Sequence, residues 1–269
     1  MRAGREKTIV NGGGLGGVWG TRVAPRPDGE VRGNTVGAVH VRVVRATVGG
    51  RELKSVEPKR PVVIRNLAAG VEAFTSNAFL VAGPPRADAP ATTDDGDAGR
   101  RTLVDTGANF DVVAAVREHV SDLDAVVLTH THSDHVENVD AVREAFGVET
   151  VGFDASTPLV DEQLPDGGTV RMGTADYEAL HTPGHKDDHL CLYAPDAGVL
   201  FAGDLVFGGG GFGRTDLPEG DRGTLIDSID RVRARVGEDL RELHAGHGAS
   251  ATADPLRDVE TAARAARTR

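Results

Sequence analysis

The stretch "LTHTHSDHVEN", residues 128–138, places His130, His132, Asp134 and His135 within six positions. Imidazoles crowded this closely compete for the same space and lose rotamer freedom. Such crowding is favourable when something binds the rings. The stretch follows "LDAVV", residues 123–127, an apolar run of the kind that forms a buried strand. The four polar groups therefore stand just past a strand end, where loops converge on one edge of a sheet and sites are built.

Three more groups repeat this placement. His185 closes "TADYEALHTPGH" (174–185), Asp204 closes "HLCLYAPDAGVLFAGD" (189–204), and His247 lies in "LRELHAGHG" (240–248). Each follows an apolar strand pattern, and Gly184, Gly203, Gly246 and Gly248 beside them allow close backbone approach. Imidazole and carboxylate suit zinc, iron or manganese. The H-x-H pair can aim two rings at one ion, with Asp134 and His135 directed toward a second. Seven candidate ligands exceed the needs of one tetrahedral ion. They suit two ions roughly 3.5–4 Å apart that share one bridging carboxylate.

The other histidines lack this setting. His181 and His244 read as structural or as supports of neighbouring ligands; His189 reads as a ligand-orienting residue or a turn cap; His40 and His119 read as surface residues. Cys191, the only cysteine, excludes an intrachain disulfide and reads as a buried, inert thiol within a strand.

Around these motifs, "VEAFTSNAFLV" (71–81) predicts a strand, "GPPRADAPATTDDGDAG" (83–99) a loop and "RTLVDTG" (101–107) a short strand and turn. Apolar spacing predicts helices over 109–120, 136–146, 221–236 and 254–267, the last with Pro255 in its first turn. Residues 189–204 predict a two-strand hairpin turning at Asp196-Ala197-Gly198. Strands alternating with helices predict a layered α/β domain over residues 61–269.

Residues 1–60 differ. They carry 12 basic and 5 acidic groups, against 18 and 36 in residues 61–269. They read as a basic, Gly- and Arg-rich extension with little order, with a strand or hairpin arm at 36–48. Gly12, Gly14 and Gly17 match G-x-G-x-x-G, but Pro25 and Pro27 break the helix that a dinucleotide site needs next. Overall the 269 residues carry a net charge of −11, with only 4 lysines against 26 aspartates. That balance argues against a nucleic-acid-binding body. It fits a salt-adapted surface, for which potassium chloride should raise the melting temperature, or a strongly GC-rich genome that favours Arg over Lys; a flat or falling response contradicts the first. No apolar run reaches the roughly 18 residues of a membrane span. Glycines replace the apolar core of a secretory leader. The expected setting is the cytoplasm and the expected partner a small-molecule substrate.

H-x-H-x-D-H followed in order by T-P-G-H, A-G-D and G-H-G resembles the metallo-β-lactamase superfamily over about residues 62–250. The resemblance implies a four-layer αβ/βα sandwich with two divalent metal ions, zinc first, iron or manganese otherwise. His130, His132 and His185 would hold one ion, Asp134, His135 and His247 the other, and Asp204 would bridge them. Asp134 would also steer the attacking hydroxide or shuttle a proton. "GRTDLPEGD", residues 213–221, resembles the branch containing glyoxalase II (hydroxyacylglutathione hydrolase) and persulfide dioxygenase. That likeness implies cleavage of a thioester or related ester. It leaves open an iron-dependent sulfur dioxygenase using positions His130, His185 and Asp204, and beyond it a lactonase. Arg214 would meet a substrate carboxylate or the metal loop, or brace its own loop through Asp216 or Asp221.

Two departures stand out. Only 22 residues follow His247, against the helical C-terminal domain by which full-length glyoxalase II binds glutathione, so the expectation is a chain without that domain and without its specificity for glutathione thioesters. Val136-Glu137-Asn138 replaces the glycine that commonly follows H-x-H-x-D-H, which predicts a narrower mouth with Glu137 at its rim.

Overall fold

The computed structural model describes residues 62–83 and 99–268. The readings of residues 1–60, and of the Pro- and Asp-rich loop except Gly83 and Gly99, lie outside the described residues.

The first sheet contains β1 (Val63–Asn66), β2 (Phe79–Ala82), β3 (Thr102–Val104), β4 (Ala125–Val127), β5 (Thr150–Gly152) and β6 (Glu162–Gln163), in that spatial order. β1, β2 and β3 pair antiparallel. From β3 to β6 the pairing is parallel, and helices α1 (Val112–Arg117), α2 (Ser133–Val136) and α3 (Val139–Phe146) fall between these strands. The second sheet is built from β7 (Thr169–Met172), β8 (Ala175–His181), β9 (Leu190–Ala194) and β10 (Val199–Gly203), all antiparallel. A small hairpin, β11 (Val206–Phe207) and β12 (Gly211–Phe212), and helix α4 (Arg222–Val236) follow. β13 (Glu242–Ala245) then adds parallel to β10, and α5 (Pro255–Thr268) closes the chain.

Side-chain alternation assigns each face. Along β2, Phe79 and Val81 join the core between the sheets, whereas Leu80 faces the helices. In β9, Leu190, Leu192 and Ala194 enter that same central core, and Cys191 and Tyr193 face α4 and α5. Val199 and Phe201 of β10 do the first, Leu200 and Ala202 the second. A period of two with apolar residues in both phases is what a strand buried on both faces requires. The result is four layers: α1–α3, first sheet, second sheet, α4–α5. This is the sandwich the sequence implies.

Several predicted elements are shorter. The strand expected over 71–81 is regular only from Phe79. Upstream of it, the backbone N–H of Ser76 goes to Asp134 O and that of Asn77 to Gly246 O, so these donors grip two site loops instead of extending a ladder. The helix expected over 109–120 spans only Val112–Arg117. Asn109 is left-handed (φ 59°), and Asp111 caps the helix by accepting from Ala114 N–H. The helix expected over 136–146 starts only at Val139, as α3, and the short α2 that precedes it ends at Val136. Val136 packs in the core rather than at a mouth, and Asn138 donates to Thr106 O and Gly107 O, which leaves Glu137 as the exposed member of that trio.

Candidate metal centre

The ends of four strands place the seven residues. β4 leads into His130, His132, Asp134 and His135; the turn after β8 carries His185; β10 ends at Gly203 before Asp204; β13 ends two residues before His247. Their ligand atoms form three overlapping groups: His130, His132 and His185; His130, His135 and Asp204; Asp134, His135 and His247. Within each, the atoms lie within 4.8 Å of one another. Arg214 stands apart from these groups.

Hydrogen bonds fix the tautomers on one side. Thr129 Oγ1 donates to Asp105 Oδ2 at 2.7 Å, so it can only accept from His130 Nδ1 at 3.1 Å. His185 Nδ1 donates to the Arg214 carbonyl at 2.8 Å. In its neutral form each ring therefore presents a bare Nε2. These face His132 Nδ1 at 3.1 and 2.9 Å. One proton on His132 cannot satisfy two acceptors at that spacing with good geometry, and three convergent nitrogens suit a cation. Burial first, then the neighbouring His135 and His189, pushes His130 well below the ordinary imidazole range. Its lone pair is thus free at neutral pH.

On the other side carboxylates dominate. His135 Nδ1 donates to Asp105 Oδ2 at 2.8 Å, and His247 Nε2 lies 3.1 Å from Asp134 Oδ2. Asp204 stands between the groups: its Oδ1 is 3.5 Å from His135 Nε2, and its Oδ2 is 3.5 Å from both His185 Nε2 and His247 Nε2. Burial alone would lower His135, but Asp105 and then Asp204 outweigh it and raise it to about 10. Hydrogen bonding to Asp134, then Asp204, raises His247 to about 9. Burial would raise Asp204, yet the neighbouring His135 and His247 outweigh it and hold the carboxyl well below its ordinary range.

Two observations show that this donor set fits metal ions. His135 Nε2 and Asp204 Oδ1 are buried and face each other at 3.5 Å, and among the described residues neither makes a hydrogen bond, although buried polar atoms are normally paired. Gly246 keeps the space open: a Cβ there would collide with Asp204 Oδ1 and lie 2.7 Å from His135 Cε1.

Sequence reasoning missed Asp105. It is buried and left-handed (φ 56°), a conformation uncommon for a residue with a side chain. Its carboxylate accepts from Thr129 N–H, Thr129 Oγ1 and His135 Nδ1. Such a carboxylate–imidazole pair orients a ligand and raises its basicity. The signal was present: Asp105 ends "RTLVD", another apolar strand followed by a polar residue. Arg214 acts through its backbone here. Its guanidinium makes two 2.7 Å bonds to Asp216, both side chains being exposed, while its carbonyl orients His185. His181 stacks on Phe153, and His244 packs against Phe79 and Phe201, so both serve the core and its edges. Cys191 is buried and its thiol is pushed up to about 12 by that burial.

Two mixed sheets face to face, helices outside, and a His/Asp cluster at the strand ends consistent with two metal ions define a metal-site protein. The metallo-beta-lactamase superfamily model matches residues 94–159 and 149–247, and the chain belongs to that superfamily. It is 31% identical to hydroxyacylglutathione hydrolase GloC of Haemophilus influenzae over 179 residues, 58% of this chain and 84% of that one. Among solved structures, BLEG-1 B3 metallo-beta-lactamase is similar at 25% identity and TM-score 0.55, over 71% of this chain and 94% of that one. TTHA1623 in a di-iron-bound form is similar at 27% identity and TM-score 0.51, over 66% and 89%. Among the described residues, no helix is long and apolar enough to cross a membrane.

Proposed function

We propose that this chain is a binuclear metallohydrolase acting on a small thioester or related ester in the cytoplasm, with zinc the first metal to test. His130, His132 and His185 would hold one ion, Asp134, His135 and His247 the other, and Asp204 would bridge. The observation that carries the two-ion reading is that the ligand atoms form two groups with no residue in common, His130–His132–His185 and Asp134–His135–His247, with Asp204 oxygens 3.5 Å from His185 on one side and from His135 and His247 on the other. A single ion among His130, His185 and Asp204 would leave the convergent Asp134, His135 and His247 without an ion. The likeness to a hydroxyacylglutathione hydrolase supports the ester class.

Bound ions of this kind lower the pKa of water toward about 7 and polarise a carbonyl. The chain's own residues prepare the site. Asp105 aims His135, and the Arg214 carbonyl aims His185. Asp134 is half-buried beside His247, whose hydrogen bond, together with the charge of His135, overcomes burial and holds the carboxyl below its ordinary range. It is ionised at neutral pH and would steer the attacking water or shuttle its proton. The domain that carries this chemistry is residues 61–269.

The test is release of free thiol from S-D-lactoylglutathione and from an acyl-CoA by the zinc-loaded chain, set against a chelated control. Zinc-dependent release supports the proposal. An iron-loaded, one-metal preparation that consumes oxygen with a persulfide and releases no thiol from either ester would replace it with the dioxygenase.

A further inference from the structure

His189 lies among the ligands but belongs to none of their groups. It is fully buried. Its Nε2 accepts from the Asp204 backbone N–H at 3.0 Å. That makes Nδ1 the protonated nitrogen, which donates to Thr182 Oγ1 at 2.8 Å; Thr182 passes its own proton toward Leu180 O at 3.4 Å. Gly203 permits the approach. It is left-handed (φ 48°), and a Cβ there would lie 2.5 Å from His189 Nε2 and 3.0 Å from Thr129 Cβ. The residues on either side of His189 grip the H-x-H loop. Asp188 accepts from Thr131 Oγ1 at 2.6 Å, and Leu190 N–H donates to Thr129 O at 2.7 Å. One three-residue segment thus ties the loop carrying His130 and His132 to the turn carrying Asp204.

We infer that His189 is a positioning residue for the metal centre: its Nε2, as an acceptor, pins the Asp204 backbone so that the carboxylate stands between the two ligand groups. Core filling alone would need only a side chain of this shape. Here the acceptor is the specific element, because without it the buried Asp204 N–H has no partner, a loss costly in itself. The inference rests on the two-ion reading above and adds a residue that touches no ion.

The experiment is zinc affinity by competition with a chromogenic chelator, on the wild-type chain, His189→Leu and His189→Gln. Leucine keeps bulk without an acceptor; glutamine brings a carbonyl to about the reach of Nε2. His189→Leu should weaken at least one zinc by about 10–100-fold, the usual range for a residue that orients ligands, and His189→Gln should recover most of that loss. A folded His189→Leu chain with wild-type affinity for both ions overturns the inference and leaves the two-ion reading standing. A wild-type chain that takes up no zinc overturns both. Should His189→Leu fail to fold, nitrogen NMR of the wild-type imidazoles decides: a bare Nε2 and protonated Nδ1 on His189 support the assignment, and a proton on Nε2 overturns it.

Discussion

On one side of Asp204, His130 and His185 each spend the Nδ1 proton on a fixed oxygen, and burial drives His130 well below the usual imidazole range. On the other, carboxylates outweigh burial, and His135 and His247 are pushed up to about 10 and about 9. On the first side His130 offers a bare lone pair at neutral pH. The second holds protons where a cation belongs, so an ion must displace them and its affinity there rises with pH. The two sides are prepared by different means: neutral hydrogen bonds for one, buried charge for the other. Asp105 reaches both through Thr129 and His135.

The largest effect should come from removing the residue the two sides share. Asp204→Asn is expected to leave less than two zincs per chain by elemental analysis. It should cost several kcal/mol of transition-state stabilisation, on the order of 10³-fold in thioester hydrolysis. Unchanged metal content would break the comparison at its centre. Asp105→Asn acts more selectively. It should weaken the ion held by His135, which it touches directly, by about 10–100-fold and the His130–His132–His185 ion, which it meets only through Thr129, by less, as zinc titrations resolved into two steps would show. Equal weakening of both would mean that Asp105 serves the sides alike.

The pH response of the metal-free chain sharpens the contrast. His135 and His247 have folded values above the ordinary 6.5. Their contribution to stability is complete below about pH 6.5 and is lost as pH rises through about 9 and then about 10. The melting temperature of the chelated chain should therefore fall between pH 7 and 10, while that of the zinc-loaded chain falls less. A flat or rising melting temperature in chelator would contradict the assignment of protons to that side. Smallest is Arg214→Ala. The exposed pair with Asp216 is screened by water and contributes little, so the melting temperature should barely move, and His185 keeps its partner because that partner is backbone. A tenfold rise in KM would show that the guanidinium leaves Asp216 for substrate.

Much of this was legible in the sequence. The strands leading to the seven clustered residues were visible because each is an apolar run ending in a polar residue of a metal-ligating type. Less visible was what the backbone does. Residues 71–78 carry strand-like side chains, but the Ser76 and Asn77 N–H groups go to Asp134 O and Gly246 O, and no side-chain pattern announces such destinations. The break between α2 and α3 depends on Asn138 turning to the Thr106 and Gly107 carbonyls. β6, β11 and β12, at two residues each, are too short to show a period. Arg214 drew notice for its charge, whereas its carbonyl makes the contact with His185.

The central claim is two ions on opposite sides of one carboxylate. Crystals equilibrated with zinc, measured with anomalous scattering at the zinc edge, test it most directly. The account predicts two peaks per chain, one among His130, His132 and His185 and one among Asp134, His135 and His247, with Asp204 touching both. A single peak at saturating zinc, or a second one away from His135, would contradict it.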